Sequence, residues 1–553
     1  MNKSGYWLKI TVALLAGLSI VLFLLLYSWD FNDKQEEYKE FTAFFAFSGL
    51  GHETNKNNRI QNKIEELTNT KVSISWIGNK KLENIIDKMI ARKEYPDFID
   101  GAKATSQLIL SGAYIPLEDY LQDYPNLYSY LSEDEWELMR SDDGHIYIIP
   151  QFGIVYGNET DTSHREEAFF IQKDVLKWAG YPKVTTVKEY FNLIGEYLKT
   201  HPTINDRQTQ GFLILCDGWR GFSLSNVPQF IAGYPNDGCA IVDDKTKTAK
   251  LYDFIPEAKE YYRLLNEAYH FEILKSDTFV MTYEQYISQL KTGSVLGVID
   301  QYWQFEAAQE SLYEQGLPER TYVPLGLTIE DGVTERYRSV EALDISNGIG
   351  ISVSCKDVRG ALSYIDQLLG QNIMKLRFWG EEGIDYNIDE DGLFYRSEEQ
   401  RKNASSMNYL ADNFYTLYYF PHFDGMLADG INTIRPAEQP KEFFAALPDY
   451  DKELLNAYGY QTFVDFLNKP EEENAPWFPL YSFTNNLNPK SEIGKINKRL
   501  EEIRKEWLPL VIMSEEGQFD IMWENYSIAF HNQIDINIYE NALTEEIGLR
   551  SKK

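Results

Sequence analysis

The first part of the sequence alternates short apolar segments with amphipathic segments, separated by short turns. The apolar run EFTAFFAFSG is followed by NKNNRIQNKIEEL, with apolar residues at helical spacing, and then by the alternating segment KVSISWIG. LENIIDKMIARKEYPDFIDG repeats this order. Apolar residues at i, i+3 and i+4 predict amphipathic helices, and short apolar or alternating runs predict strands. This alternation of strands and helices indicates a parallel α/β sheet with covered faces.

A second α/β stretch begins at AFFIQKDVLKWAG. It predicts a strand and two helices, with Thr185 or Thr186 as the N-cap of the second helix. QGFLILCDGW and GSVLGVIDQYW each predict a buried strand that leads into a loop or a helix start. Beyond Gly392 we expect mostly helices. Because a chain of 553 residues is too long for one ordinary hydrophobic core, we expect at least two lobes.

The amino-terminal segment KITVALLAGLSIVLFLLLYSW has about twenty apolar residues without a charge, which is long enough to span a bilayer. Lysines precede it and acidic residues follow it. The positive-inside rule therefore predicts a cytoplasmic segment 1–9, an uncleaved transmembrane anchor 10–29 and a linker 30–40. A cleaved signal peptide is the alternative, but the segment offers no small-x-small cleavage site. We expect the rest of the chain on the outer, extracellular face of the cytoplasmic membrane.

Composition and charge narrow the function classes. The formal net charge of −32 argues against nucleic-acid binding, because phosphates require clustered Lys and Arg. Aromatic residues make up 14% of the chain, and aromatic planes stack on the apolar C–H faces of sugar rings. The three cysteines show no metal-ligand spacing. We expect small buried thiols, with a Cys216–Cys239 bridge as the alternative.

Residues 378–396, FWGEEGIDYNIDEDGLFYR, have two competing interpretations. The pattern N-x-D-x-D-G at 387–392 is close to a calcium-loop spacing. The alternation at 384–388 instead predicts a half-buried strand, followed by a four-residue hairpin turn that ends at Gly392. Two flanking strands do not fit the helix–loop–helix frame of such a calcium loop. We therefore interpret the segment as scaffold and predict no metal site and no cofactor.

Several segments resemble, in order, blocks of one protein family. They are MIARKEYPDFIDG, GAYIPLEDYL, DGHIYIIP, IQKDVLKWAGYPKVTTVKEY, KTGSVLGVIDQYW, SCKDVRGALSYIDQLLG and GEEGIDYNIDEDG. Together they resemble the extracellular solute-binding proteins of carbohydrate ABC transporters (family 1), in particular the long lipoprotein-type branch of Firmicutes. That branch carries a lipobox cysteine after the apolar segment, whereas the first cysteine here is Cys216. We therefore expect the anchor helix to replace a lipid.

The resemblance implies a two-lobed, periplasmic-binding-protein-like fold of type II with three inter-lobe crossings. We expect crossings near Pro150, Val298 and Ser352, with lobe 1 formed by 41–152 and 299–352 and lobe 2 by 153–298 and 353–553. Some relatives bind calcium on a loop after the helix that corresponds to EYLKTHP. Here that loop reads TINDRQTQG, which lacks the carboxylates and argues against metal there too.

The implied function is the substrate-binding component of an ABC importer. A monomer would capture an oligosaccharide between its lobes and deliver it to the permease subunits. The alternatives are a membrane-tethered sugar-binding module that serves a sensor or adhesion complex, and a glycan-cleaving enzyme. We expect no enzyme, because GFSLS fails the last position of G-x-S-x-G and the sequence contains no H-E-x-x-H and no P-loop.

Ligand-binding candidates follow from topology, because two-lobed α/β proteins bind ligands at the carboxyl ends of strands. Trp219 and Trp303 are the preferred stacking residues, with core packing as the alternative. For the acidic candidates, helix capping is the alternative. The remaining candidates are Asp217, Asp300, Arg220, Tyr302, Asp100, Phe47, Trp379 and Arg165. Arg165, Arg207 and Arg220 hint at an anionic glycan, but the choice between neutral and anionic sugars stays open.

Overall fold

The computed structural model describes residues 38–49, 54–55, 57–78, 81–158, 160–414, 417–470 and 474–551. The predicted cytoplasmic segment 1–9, the predicted anchor 10–29 and most of the predicted linker lie outside these residues. Within the described ranges, no helix is both long enough and apolar enough to cross a bilayer.

Eight strands form two separate four-stranded sheets. In chain order they are β1 (Lys39–Phe45), β2 (Thr70–Trp76), β3 (Phe98–Asp100), β4 (Glu167–Gln172), β5 (Gln210–Ile214), β6 (Val295–Gln301), β7 (Tyr322–Leu325) and β8 (Ile349–Ile351). The first sheet has the order β8-β3-β1-β2, and only β8 is antiparallel to its neighbour. The second has the order β7-β4-β6-β5, with β4 antiparallel to both neighbours. The fold is therefore mixed α/β, whereas the sequence predicted parallel sheets.

Helices cover the sheets and complete the carboxyl-terminal part. The helices of seven or more residues are Arg59–Thr68, Leu82–Arg92, Val187–Thr200, Pro256–His270, Tyr283–Leu290, Tyr302–Glu314, Val358–Leu368, Gln371–Phe378, Glu398–Ala404, Met407–Asn413, Pro440–Ala446, Asp449–Tyr458, Glu492–Ile512, Phe519–Gln533 and Ile536–Arg550. Shorter helical segments include Ala102–Ala104, Thr105–Leu110, Glu118–Leu121, Pro125–Tyr128, Glu133–Leu138, Lys173–Trp178, Gly218–Gly221, Phe222–Ser225 and Val227–Ile231. Short strands pair Val155–Tyr156 with Asp424–Gly425, Thr203–Ile204 with Arg207–Gln208, Ile241–Asp243 with Thr248–Lys250 and Asn387–Ile388 with Phe394–Tyr395.

The helix Val187–Thr200 begins where the sequence predicted. The hydroxyl of Thr186 accepts the backbone N–H of Glu189, and the Glu189 carboxylate accepts the backbone N–H of Thr186. This reciprocal pair satisfies two N–H groups that the first helical turn leaves without partners. Of the two predicted caps, Thr186 is the N-cap.

Two hydrophobic cores define two lobes. The first core draws its residues from 41–154 and 349–434, and the second draws its residues from 168–337 and 454–547. The chain therefore passes between the lobes three times. The short parallel pairing of Val155–Tyr156 with Asp424–Gly425 joins the first connecting segment to the last part of the first lobe.

Two of the three crossings lie elsewhere than the sequence suggested. Val298 is in the middle of β6, and β7 then pairs antiparallel with β4 in the same sheet. Residues 299–337 therefore stay with the second core rather than the first. Ser352 directly follows β8, after which residues 358–434 pack on the first core rather than the second. Strand pairing sets these boundaries, and the local sequence pattern does not reveal which strands pair.

The predicted hairpin in 378–396 is present as a scaffold element. Asn387–Ile388 pairs antiparallel with Phe394–Tyr395, and Gly392 adopts the positive φ of 84° that the turn requires. The carboxylate of Asp389 accepts the backbone N–H groups of Asp391 and Leu393 at 3.1 and 2.9 Å, so it closes the turn. The burial differs from the prediction, because Tyr386 is buried while the isoleucines on either side are exposed.

All three cysteines are free thiols. Cys216 and Cys239 are buried in the second core, and Cys355 is half-buried against the first. Burial raises the pKa of the Cys216 thiol to about 12. The alternative of a Cys216–Cys239 bridge is not realised.

Candidate functional site

Trp219 and Trp303 lie beside each other on the second lobe. Trp219 is in the turn Gly218–Gly221 after β5, and Trp303 is near the start of the helix Tyr302–Glu314 after β6. Because β5 and β6 are parallel neighbours, their carboxyl ends meet at one edge of the sheet. The two indoles stack with centroids 6.0 Å apart and an interplanar angle of 16°, and they are 44% and 42% exposed. The two predicted platforms thus form one exposed aromatic surface, hereafter the tryptophan surface.

Arg220 connects the tryptophan surface to the polar layer beneath it. Its guanidinium lies 4.7 Å from the ring centroid of Trp219 and 4.1 Å from that of Tyr283. Its Nε donates to Oε1 of Gln304 at 2.8 Å, and Nε2 of Gln304 donates to Oδ1 of Asp300 at 2.6 Å. The arginine therefore has a neutral amide as its hydrogen-bond partner, and Gln304 links it to a buried carboxyl group.

Asp300 lies under this surface and is fully buried. Its Oδ1 also accepts the Ser223 hydroxyl at 3.2 Å and the backbone N–H of Gln301 at 2.8 Å. Burial raises the pKa of Asp300 to about 7 because the charged form loses its hydration. The side chain supports Gln304 from below and is not exposed to a ligand in this structure.

Asp217 and Tyr302, two further candidates, have structural partners. Oδ2 of Asp217 accepts the backbone N–H of Tyr283 at 3.0 Å, the capping role that was its alternative. Tyr302 packs against Phe170 and Phe305, at ring distances of 6.2 and 5.5 Å, as part of the second core. Both side chains hold the neighbourhood of the tryptophan surface in place.

The first lobe also presents aromatic side chains near the ends of its strands. Phe47 follows β1 and stacks on Tyr419 with centroids 4.3 Å apart and an interplanar angle of 15°. Asp100, at the end of β3, is buried. Its carboxylate accepts the backbone N–H of Ala102 at 2.8 Å and the side-chain amide of Gln151. Burial raises the pKa of Asp100 to about 7. Asp100 and Asp300 are thus both buried carboxyl groups near the end of a strand, one in each lobe.

Two contacts join the first lobe to the second lobe near the tryptophan surface. Nζ of Lys103, from the first lobe, lies 5.0 Å from the ring centroid of Trp219. The Ser106 hydroxyl donates to the backbone carbonyl of Asn486 in the second lobe at 3.3 Å. The Lys103 side chain is exposed, but the surrounding protein removes part of its hydration. This desolvation lowers the pKa of Lys103, and the positive charge of Arg220 lowers it further. The tryptophan surface therefore faces the first lobe.

Trp379 and Arg165 have structural partners instead. Trp379 is fully buried in the first core, where its Nε1–H donates to the carbonyl of Thr433 at 2.9 Å, so it presents no free ring face. Arg165, in a connecting segment, forms a two-pronged ion pair with Glu306 at 3.1 and 3.2 Å. Of the ten candidates, the structure brings Trp219, Trp303 and Arg220 into one surface.

Sequence reasoning missed Lys103, Tyr283, Gln304 and Tyr419. Lys103 is three residues beyond β3, so the rule that ligands bind at strand ends could have included it. Gln304 is one residue beyond Trp303, but nothing in the local pattern indicated its link between two side chains. Tyr419 is distant in sequence from Phe47, and only the tertiary fold places them together.

A sequence model described as bacterial extracellular solute-binding protein matches residues 60–376. This match covers more than half of the chain. The chain belongs to this family. Its members are named for binding a solute, which agrees with the prediction of a binding protein rather than an enzyme. One relative is the polygalacturonan/rhamnogalacturonan-binding protein YtcQ of Bacillus subtilis (strain 168). It is 22% identical over 366 residues, which cover 64% of this chain and 68% of the relative.

Solved structures of solute-binding proteins share the fold. A human-milk-oligosaccharide (HMO) binding protein associated with an ABC transporter of Bifidobacterium longum infantis superposes with a TM-score of 0.63 at 14% identity, covering 94% of this chain and 100% of that one. The ABC-transporter substrate-binding protein FusA of S. pneumoniae, in complex with kestose, gives 0.64 at 16% identity, covering 93% and 100%. At these identities the similarity establishes the fold of this solute-binding protein.

Proposed function

We propose that this solute-binding protein is the substrate-binding component of an ABC importer and that it captures an oligosaccharide in the crevice between its lobes. The tryptophan surface is the observation that carries this proposal. Two parallel indoles, each more than two-fifths exposed, offer a platform of the kind that stacks on the C–H faces of sugar rings. The polysaccharide-binding name of the Bacillus relative and the sugar-binding titles of the structural neighbours support a glycan as the ligand.

The polar layer under the tryptophan surface explains how the platform would stay in position. Arg220 packs on the Trp219 ring and donates to the amide oxygen of Gln304. The amide nitrogen of Gln304 donates to Asp300, so the two bonds fix the orientation of the amide. A side chain already held in its bound geometry loses less conformational entropy when the ligand binds. Gln304 and Asp300 therefore act as positioning residues for the platform.

Transport follows from closure of the crevice. A ligand that contacts both walls binds the closed arrangement more tightly than the open one, so it shifts the population toward the closed form. The permease subunits would recognise this closed form. The three connecting segments between the lobes are where the backbone would absorb the rotation, in the type II arrangement of this fold.

We further propose that residues 10–29 anchor a monomer to the outer face of the cytoplasmic membrane. The length of this apolar segment and the extracellular character of the family support this location. Protease treatment of intact cells that express a carboxyl-terminally tagged chain tests it. The tag should be digested in protease-treated cells, and the chain of untreated cells should stay in the membrane fraction. A protected tag, or a chain released from untreated cells, would refute the anchor.

A thermal-shift screen of the full chain against neutral and uronate oligosaccharides tests the function. A ligand at roughly 100 times its Kd stabilises the folded state by about 2.7 kcal/mol, so a binding sugar should raise Tm visibly. Trp219→Ala should abolish the rise. Trp178→Ala is the matched control, because Trp178 is 41% exposed but lies at the end of the helix Lys173–Trp178. The absence of a shift with every glycan would contradict the proposal.

A further inference from the structure

Two cations from opposite lobes lie against the Trp219 ring. Nζ of Lys103 is 5.0 Å and the guanidinium carbon of Arg220 is 4.7 Å from its centroid. Among the residues that the structure describes, no carboxylate forms an ion pair with either cation, and the only hydrogen bond of Arg220 goes from Nε to the neutral Gln304. Its two Nη groups are without a hydrogen-bond partner in the same ranges.

This lack of carboxylate partners is unusual in such an acidic protein. The chain has 85 Asp and Glu against 53 Lys and Arg, and several of its partly or fully buried arginines pair with acids. Arg165 pairs with Glu306, and Arg504 pairs with Asp253 at 2.6 and 2.7 Å. A cation placed between two lobes without an acid loses hydration without full compensation. Desolvation accordingly lowers the pKa of Lys103, and the negative charge of Glu501 opposes this effect in part.

The local charge also differs from the charge of the whole molecule. A net charge of −32 repels anions at long range, so an anionic ligand would require a local positive site. A neutral sugar requires no positive group. Neutral oligosaccharides are recognised by stacking and by hydrogen bonds that uncharged side chains can supply. Two adjacent cations without carboxylate partners are instead the arrangement that an anionic group on a ligand would complete.

We propose that the ligand is an acidic oligosaccharide and that a uronate carboxylate binds between Lys103 and Arg220 while its sugar ring stacks on the tryptophan surface. This inference rests on the proposed function and names the substrate class of that crevice. The free Nη groups of Arg220 match the two oxygens of a carboxylate, and the Lys103 ammonium supplies a second positive contact. Because the two cations belong to different lobes, the same carboxylate would also hold the lobes closed.

Calorimetric titration of the full chain with trigalacturonate and with trimannuronate tests the substrate class, with the fully methyl-esterified form of each as the neutral control. Esterification keeps the ring faces and removes the charge. At least one free acid should bind, and its ester should bind at least about tenfold more weakly, since a charge-assisted hydrogen bond contributes roughly 1.5–3 kcal/mol. Raising the salt from about 0.05 M to about 0.3 M should weaken only the acid.

Variants locate the carboxylate. Lys103→Met and Arg220→Met should each weaken binding of the acid at least about tenfold and leave binding of the ester nearly unchanged. Arg220→Lys should recover part of the loss, which a merely structural role would not predict. Arg207→Met removes the same charge from an exposed residue in the hairpin that precedes β5, and it should not change the affinity.

The outcomes separate this inference from the proposed function. Equal binding of acid and ester, or loss of both in the two methionine variants, would overturn the acidic substrate and leave an oligosaccharide-binding crevice. The same conclusion would follow if only neutral glycans raised Tm in the thermal-shift screen. If no glycan bound in either experiment, the proposed function itself would fail.

Discussion

Replacing Asp300 by Asn should remove a large part of the pH dependence of stability. Asp300 is fully buried, and its pKa is raised from 3.8 to about 7 by desolvation. Asn keeps an oxygen at the Oδ1 position, so the bonds from Gln304, Ser223 and the Gln301 backbone remain possible. The substitution therefore removes the ionisation with little change in shape.

The sign and size follow from linkage. Between pH 3.8 and about 7 the folded state keeps the Asp300 proton while the unfolded chain has lost it. The folded state binds more protons in this window. The contribution of Asp300 to stability is therefore largest below pH 3.8, falls as the pH rises to about 7, and then stays constant. Each pKa unit corresponds to about 1.4 kcal/mol, so this one group costs the wild-type protein about 3 kcal/mol between pH 5 and pH 7.

Guanidinium unfolding of both proteins, followed by tryptophan fluorescence at about pH 5 and about pH 8, measures this effect. Other buried carboxyl groups contribute to both proteins and cancel in the difference. From about pH 5 to about pH 8, the free energy of unfolding of the variant should rise by about 3 kcal/mol relative to that of the wild type. A constant penalty for the new amide N–H groups, about 1–3 kcal/mol, shifts both measurements equally. An unchanged pH dependence would refute the argument that Asp300 titrates in a desolvated site.

Three further perturbations have expected outcomes. Lys173→Met breaks a fully buried ion pair with Asp451, whose atoms are 2.6 Å apart, and should lower the free energy of unfolding by about 3–5 kcal/mol. Adding Asp451→Leu should recover much of this loss in the same denaturant assay, and a double variant as unstable as the single one would contradict it. Gly153→Ala places a Cβ 1.8 Å from the carbonyl oxygen of Ala342 at a connecting segment, so Tm should fall clearly more than in Gly112→Ala, which has a similar positive φ but open space. Equal changes in Tm would show that the close approach is not rigid.

Local patterns predicted the local structure of this chain. The runs EFTAFF and VSISW became β1 and β2, and the capping signal at Thr186 was correct because side-chain caps depend on residues only three apart. The rule that ligands bind at strand ends selected Trp219 and Trp303 as candidates, and the structure places both at one edge of the second sheet, although their stacking on each other was not predicted. In each case the deciding interactions are close in sequence.

Long-range pairing explains what the sequence did not reveal. The lobe boundaries depend on β7 pairing with β4 rather than crossing to the first sheet, and many pairings satisfy the same apolar pattern. Trp379 was one of the ligand-binding candidates, but it is buried and bonds to the carbonyl of Thr433 in a later segment. Lys103 contacts the Trp219 ring only because the two lobes face each other. These features follow from tertiary packing, which short motifs do not encode.

The central claim is that a glycan binds between the lobes and touches both. The most direct test is calorimetric titration of the full chain and of two single variants on opposite walls, Phe47→Ala and Trp303→Ala, with the best oligosaccharide from the thermal-shift screen. Loss of a stacking partner should weaken binding in each variant at least about fivefold, since aromatic contacts contribute roughly 1 kcal/mol or more beyond the buried area. Trp178→Ala should bind as the wild type does. Unchanged affinity in both wall variants would place the ligand elsewhere, and an effect confined to one lobe would contradict binding across the crevice.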